Sequence, residues 1–444
     1  MRQLRSYQKK ALRFSLKVKH PALFMEMRLG KTLVTIRSAI LKGYKKILVV
    51  CPYSAFMSWE EELQEENQKY IYSIVGTKKV RLELLNKISR DKRITWSIIN
   101  KEGFLVIPEI RNIKWDCLVW DESHYLKNPQ SKISKFYVNN FRDVKGRYCL
   151  TGTPAPENEL EYFQQLIFLD ENNMKFKNYW EYRHACFVEG FHNYKLHAYG
   201  RKYLENVLSK NCFFLTRKEV NLGGEKIYIK RSLVLSPKLK KVYKTIVEEF
   251  VLEGDGIKLD MTIFAGQKWI WLRRLCGGFA EKKLVHKLKC NEILEFLRGE
   301  LKSQQLVIWC AFTREIEYLN KFLKQKKFKV DMIYGKVKQR DRIAIRKKFN
   351  SKKIQILIAQ PETLKLGVNL SISDTAIYYS SPTGLETRLQ SEDRIIGDKK
   401  SSSLIIDLLI KDSVEEDILI SLMRKETQQE LMRRVMRRIQ NEAA

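Results

Sequence analysis

No run of apolar residues in the chain is long enough to cross a membrane as a helix. The longest candidates, 45–52 and 404–410, are strand-sized, well short of the ~18–20 residues a spanning helix needs. The first residues, MRQLRSYQKKALRF, are basic but lack the apolar stretch and small-residue cleavage site of a secretion signal. Cysteine is scattered (51, 117, 149, 186, 212, 276, 290 and 310) with no CxxC pair. That excludes a zinc ribbon or a disulfide scaffold and fits a reducing compartment. Internal repeats and low-complexity tracts are absent too. Negative charge is the remaining shortage: 51 Asp and Glu stand against 83 Lys and Arg, a formal charge of +32. Such an excess repels itself unless a polyanion is present, and the usual polyanion is nucleic acid. A merely basic soluble protein is the alternative that composition leaves open. With 44% hydrophobic and 30% charged residues, the chain is neither disordered nor membrane-embedded. Its length allows roughly two to four domains.

What is present is a repeated pattern of short β-branched runs, each followed by a turn and a helical period. The runs are 45–52, 115–123, 146–154, 305–312, 354–361, 375–382 and 403–410. Continuous apolar runs alternating with helices imply parallel sheets covered on both faces, an α/β class. They fall into two clusters, so the expected architecture is two α/β lobes with a mostly helical insertion between them. The boundaries drawn from composition are lobe one at 1–169, an aromatic and basic insertion at 170–214, and a linker at 215–235 with its hinge at Gly223-Gly224. A helical protrusion at 236–300, lobe two at 301–412 and a basic C-terminal helix at 413–444 follow.

Two pieces carry chemistry. MEMRLGKTLVTIRSAIL (25–41) ends a strand, turns tightly and opens a helix. In Gly30-Lys31-Thr32 the glycine lets backbone N–H groups approach phosphate, the lysine reaches the β/γ oxygens and the threonine ligates magnesium. Met25 stands where a full GxxxxGKT motif would have its first glycine, so a plain strand-to-helix turn is the competing reading. LVWDESH (118–124) then delivers Asp121 and Glu122 at the end of an apolar strand, about 90 residues later. An aspartate there can hold Mg2+ and a glutamate can polarise the attacking water. The order strand–GKT–helix, then strand–DE, points to nucleotide hydrolysis.

These motifs and their neighbours resemble the superfamily 2 helicase-like ATPases of the Swi/Snf type. RSYQKKAL (5–12) is similar to the adenine-reading glutamine motif, with Gln8 in that role. EMRLGKT is similar to DEMGLGKT, with Arg28 in place of a glycine. VVCPYSAFMSWEEE, DESHYLKNPQSK, LTGTPAPENELEYF, FLTRKEV, IAQPETLKLGVNL and DSVEEDIL all have counterparts in order, over nearly the whole chain. The resemblance implies two RecA-like lobes, ATP and Mg2+ as cofactors, and DNA gripped through its backbone without sequence preference. For nucleotide binding it implies Gln8, Arg28, Gly30, Lys31, Thr32, Gly367, Gln390 and Arg394, with Thr32 and Asp121 on the metal. Lys31, Asp121, Glu122 and Arg394 would act in hydrolysis. Ser54, Trp59, Thr151, Thr153 and Asn369 are the implied DNA contacts, joined by the tail arginines Arg433, Arg434 and Arg437.

Two departures stand out. Lys365 replaces a glycine of the fifth motif, and QSEDRIIGDKK (390–400) is two residues shorter than its counterpart. The lost His-Arg pair carries the arginine that ordinarily reaches the γ-phosphate. Arg394 takes over, Arg388 or another basic residue does, or hydrolysis is slow. The stretch 182–208 resembles the same region of annealing and fork-remodelling members, and Gly190 and Asn193 between aromatic runs suggest a β-hairpin. Two readings of its aromatics stand: a wedge that stacks on unpaired bases, or the small core of a helical protrusion. The tail arginines similarly bind a second DNA arm or belong to a solvated bracing helix.

Three functions follow as expectations: a motor unwinding forks or migrating branched junctions, a duplex translocase that strips or remodels bound proteins, or a DNA-binding module with a crippled ATPase. A monomer in the cytoplasm of a bacterium or phage-infected cell, without membrane attachment, completes the expectation.

Overall fold

A computed structural model describes residues 2–155, 158–189, 194–222, 224–252, 261–280, 283–364, 370, 372–396, 402–424, 430–431 and 434–435, less the side chains at 54, 248–252, 261–268, 339 and 364. The chain forms two compact units, Met1–Leu222 and Gly223–Ala444.

The first unit is built on β1 (Ala22–Met25), β2 (Lys46–Cys51), β3 (Ile71–Ser73), β4 (Thr95–Asn100), β5 (Cys117–Asp121) and β6 (Gly146–Leu150). Later come β7 (Phe187–Glu189), β8 (Tyr194–Leu196) and β9 (Cys212–Leu215). Seven of these make one sheet in the order β3-β4-β2-β5-β6-β1-β9. Every pairing in it is parallel. The continuous apolar runs are explained by burial on both faces: Ile47, Leu48, Val49 and Val50 are all fully covered. Because all strands run one way, the loops after β1, β2, β5 and β6 emerge at the same carboxyl edge, where open α/β sheets bind ligands.

The segment 170–214 is part of this unit rather than an appendage to it. Its last strand, β9, pairs with β1 through Ala22–Cys212 to Met25–Leu215. Its aromatics feed the main core: Tyr182 is fully buried, stacks on Phe163 at 5.4 Å and meets Phe187 edge-on. β7 and β8 form an antiparallel pair, the arms of the expected hairpin. Gly190 and Asn193 lie outside the described residues. Trp180, Val188 and Tyr199 remain exposed on this segment.

The second unit holds β10 (Lys226–Leu233), β11 (Phe279–Ala280), β12 (Lys283–Leu284), β13 (Leu306–Trp309), β14 (Val330–Ile333), β15 (Ile356–Ala359), β16 (Thr375–Tyr378) and β17 (Ser403–Ile410). Its main sheet runs β10-β17-β16-β13-β15-β14, again parallel throughout. The helices Pro237–Leu252 and Met261–Cys276 form a separate apolar cluster with Val414–Arg424 through Tyr243, Val247, Trp269, Leu272 and Ile418. The helix Leu288–Arg298 departs from the protrusion expected at 236–300. Cys290, Ile293 and Leu297 pack it against Leu306, Ile308 and Ile358 of the sheet. Two parallel-sheet α/β lobes are thus the architecture of the chain. No helix of the described residues is long and apolar enough to cross a membrane.

Candidate active site

The loop after β1 is shaped by two left-handed residues. Gly30 has φ +83 and caps the helix Lys31–Leu41, and Arg28 has φ +66. The left-handed backbone at Arg28 accounts for the glycine that similar loops carry there. A Cβ on Gly30 would come within 2.3 Å of Gln8 Nε2. Gln8 lies on the helix Ser6–Lys17 and donates from Nε2 to the Leu29 carbonyl at 3.3 Å, while its Oε1 accepts from Arg5 N–H at 3.0 Å. The Lys31 ammonium donates to the carbonyls of Met25 and Glu26 at 2.8 and 3.3 Å. Thr32 follows it in the first turn, half-buried.

Asp121 and Glu122 leave the end of β5, and both of their side chains are engaged. Asp121 Oδ2 accepts from the indole N–H of Trp59 at 2.9 Å, and Oδ1 accepts from the Glu122 N–H at 3.0 Å. Glu122 has φ +54, a left-handed turn that aims its carboxylate back toward the loop after β6. There Thr151 donates to Glu122 Oε2 at 3.2 Å, and His124 Nδ1 lies 3.3 Å from the same oxygen. Desolvation, and then the neighbouring Glu122, push the Asp121 carboxyl above the usual carboxylate range, against the pull of the Trp59 hydrogen bond and the Lys31 charge. A carboxylate so placed is relieved by a cation, so Asp121 and the Thr32 hydroxyl fit the hard-oxygen donor set that Mg2+ takes. Among the described residues no cluster of three His, Cys, Asp or Glu side chains offers a rival metal site.

Two expected DNA contacts are corrected here. Trp59 is 1% exposed with its only polar atom committed to Asp121, so it has no surface to offer a DNA strand. Thr151 is fully buried and bonded within the Glu122 group. Thr153 is half-buried, its N–H donating to Thr151 Oγ1 at 3.1 Å. The backbone of Ser54 lies in the turn Tyr53–Ala55 that follows β2. Sequence reasoning also missed Glu26, whose Oε2 accepts from the Arg217 N–H at 2.7 Å and whose own N–H donates to the Leu215 carbonyl. This ties the phosphate loop to the end of β9.

In the second unit, Gln390 and Arg394 lie on the helix Leu385–Ile396 and are largely buried. Gln390 Nε2 donates to Glu386 at 2.8 Å, and the Arg394 carbonyl accepts from Leu370 N–H. Arg388 on the same helix is spent structurally. It forks onto Asp407 at 2.6 and 2.9 Å, reaches Glu392 at 2.6 Å and lies over the Tyr378 ring. That engagement corrects its candidacy as the substitute for the missing arginine. Gly367, Asn369, Arg433 and Arg437 lie outside the described residues, and Arg434 is half-buried in a helical segment.

The SNF2-related domain model matches residues 7–288, and the helicase conserved C-terminal domain model matches residues 288–396. The chain is 26% identical to the CHD3-type chromatin-remodeling factor PICKLE of Arabidopsis thaliana, over 93% of this chain and 33% of that protein. It is also 26% identical to the ISWI chromatin-remodeling complex ATPase ISW1 of Saccharomyces cerevisiae, over 89% of this chain and 37% of that one. It thus spans about a third of the length of these relatives. Among solved structures, the SWI2/SNF2 ATPase core of Sulfolobus solfataricus in complex with dsDNA is 20% identical and has a TM-score of 0.46, covering 100% of this chain and 94% of that one.

Proposed function

The chain belongs to the SNF2-related domain family, and from that premise we propose that it is an ATP-hydrolysing motor that translocates along DNA. The observation that carries this reading is the convergence of Lys31 with the Asp121–Glu122 pair at one carboxyl edge of a parallel sheet. In it, the loop N–H groups after Gly30 cradle the phosphates and Lys31 exchanges its loop carbonyls for β/γ oxygens. Gln8, already against the loop at Leu29, reads the adenine. Thr32 and Asp121 hold Mg2+, which neutralises charge on the phosphates when bound. Glu122, oriented by Thr151 and His124, takes the place of the water-polarising carboxylate. For the transition-state charge we propose Arg394, which lies within the span of the helicase conserved C-terminal domain match.

Within this class we propose forked or branched DNA as the preferred substrate. The antiparallel β7–β8 arms, with an exposed Trp180 whose ring lies under Arg183 at 4.4 Å, support it as an aromatic and basic surface for unpaired bases. The names of the relatives favour a second reading, a duplex translocase that remodels bound proteins. The +32 charge suits either, since phosphate contacts are sequence-tolerant.

The test is strand separation on a labelled naked fork, beside displacement of a protein block from plain duplex, both under ATP. Separation of naked forks supports the first reading. Block displacement with intact forks supports the second, and neither activity in the presence of ATP turnover would refute translocation.

A further inference from the structure

Resting on the reading of Asp121 as the magnesium ligand, we propose that Trp59 is a positioning residue that acts through it. The indole N–H donates to Oδ2 at 2.9 Å, while Oδ1 is held by the Glu122 N–H at 3.0 Å. Each carboxylate oxygen keeps a further lone pair for a cation or its water. The two donors reach different oxygens from different elements, one from the backbone of the next residue and one from a helix 62 residues away. Together they fix both the rotation and the tilt of the carboxylate.

The indole itself is immobilised. Trp59 lies on the helix Phe56–Glu65, with Phe56 and Leu63 buried at the same helical face by their spacing of three and four residues. That helix follows β2, which pairs with β5 in register from Ile47–Cys117 to Val50–Trp120. Strand register and helix packing therefore deliver the N–H to the end of β5 without a flexible link. Partners that orient a metal ligand from outside the coordination shell change metal affinity by about 10–100-fold when removed. The burial of Trp59 makes any role for it in direct contact with substrate unnecessary.

The experiment measures Mn2+ affinity of the full chain with a non-hydrolysable ATP analogue, by electron paramagnetic resonance of free Mn2+. Trp59→Phe keeps an aromatic ring and removes the donor, and should weaken Mn2+ by about tenfold. Asp121→Asn should weaken it as well. In the Asp121→Asn background the Trp59→Phe change should add less than about twofold, because its route to the metal is already gone. A general packing role would instead make the two losses multiply, and that result would overturn the proposal. If Trp59→Phe does not fold, benzothienylalanine at position 59 keeps the ring shape without the N–H and should give the same loss. Wild-type affinity in either donor-free chain, with Asp121→Asn impaired, overturns the role of Trp59. Wild-type affinity in Asp121→Asn overturns the metal-site reading itself and this inference with it.

Discussion

Arg388→Met is the perturbation whose outcome the structure fixes most tightly. Arg388 is 4% exposed and makes a two-pronged bond to Asp407, a third bond to Glu392 and a fourth to Ser381. Methionine fills similar space and leaves two buried carboxylates without their shared cation. Asp407 would keep only Ser381 of the partners named here, whereas Glu392 would retain Lys226 and the Tyr228 hydroxyl, each at 2.9 Å. Removing one partner of a buried pair costs about 3–5 kcal/mol, because the remaining charge stays desolvated. For a unit of this size that corresponds to a fall of roughly 10 °C in the melting temperature of Gly223–Ala444. Differential scanning calorimetry would read it, and Asp407→Asn in the same chain should recover part of the loss by removing an orphaned charge. A chain that melted within about 2 °C of wild type yet hydrolysed ATP a thousandfold more slowly would refute the reasoning. Arg388 would then be acting in the chemistry.

Other outcomes follow from the same geometry. Lys31→Ala should abolish ATP turnover while leaving DNA binding largely intact in a gel-shift titration; turnover at the normal rate would mean the phosphate loop is misassigned. Gly30→Ala places a Cβ where Gln8 Nε2 now lies and forces a left-handed alanine, at a cost of about 1–2 kcal/mol. It should weaken binding of a fluorescent ATP analogue roughly tenfold, and unchanged affinity would contradict the close packing of Gln8 on the loop. His20 is 4% exposed, and burial followed by the charge of Arg147 lowers its pKa to about 4. Between about pH 6.5 and 4 the unfolded chain therefore binds a proton that the folded chain does not, so this contribution to stability is complete above 6.5 and lost as pH falls to 4. His20→Asn should flatten that part of the denaturant midpoint's pH dependence, and an unchanged slope would show that His20 does not carry it.

The sheets were legible because both faces of nearly every central strand are covered, which writes an uninterrupted β-branched run into the sequence. The phosphate loop and the acid pair were legible for a related reason: each is a local pattern at the end of such a strand. Partnerships that span long separations were not. Nothing near Trp59 marks its indole for Asp121, and a tryptophan beside an expected DNA-contacting turn reads as a surface residue until burial is known. Thr151 was misread in the same way, since a threonine in a loop gives no local sign that its hydroxyl donates a hydrogen bond to Glu122. The pairing of β9 with β1 was hidden because the strand is only four residues long and follows a segment whose polar and aromatic mixture suggests a protrusion. Arg388 illustrates the converse: a basic residue in a plausible place, whose acids at 392 and 407 become neighbours only when helix and strand pack.

The most direct test of the central claim is the steady-state ATPase rate with no DNA, single-stranded, duplex and forked DNA, using Lys31→Ala as the blank. The account predicts turnover that DNA stimulates strongly, most of all when forked. No turnover above the blank with any DNA, in a chain that binds DNA tightly, would contradict it and leave a DNA-binding module without a motor.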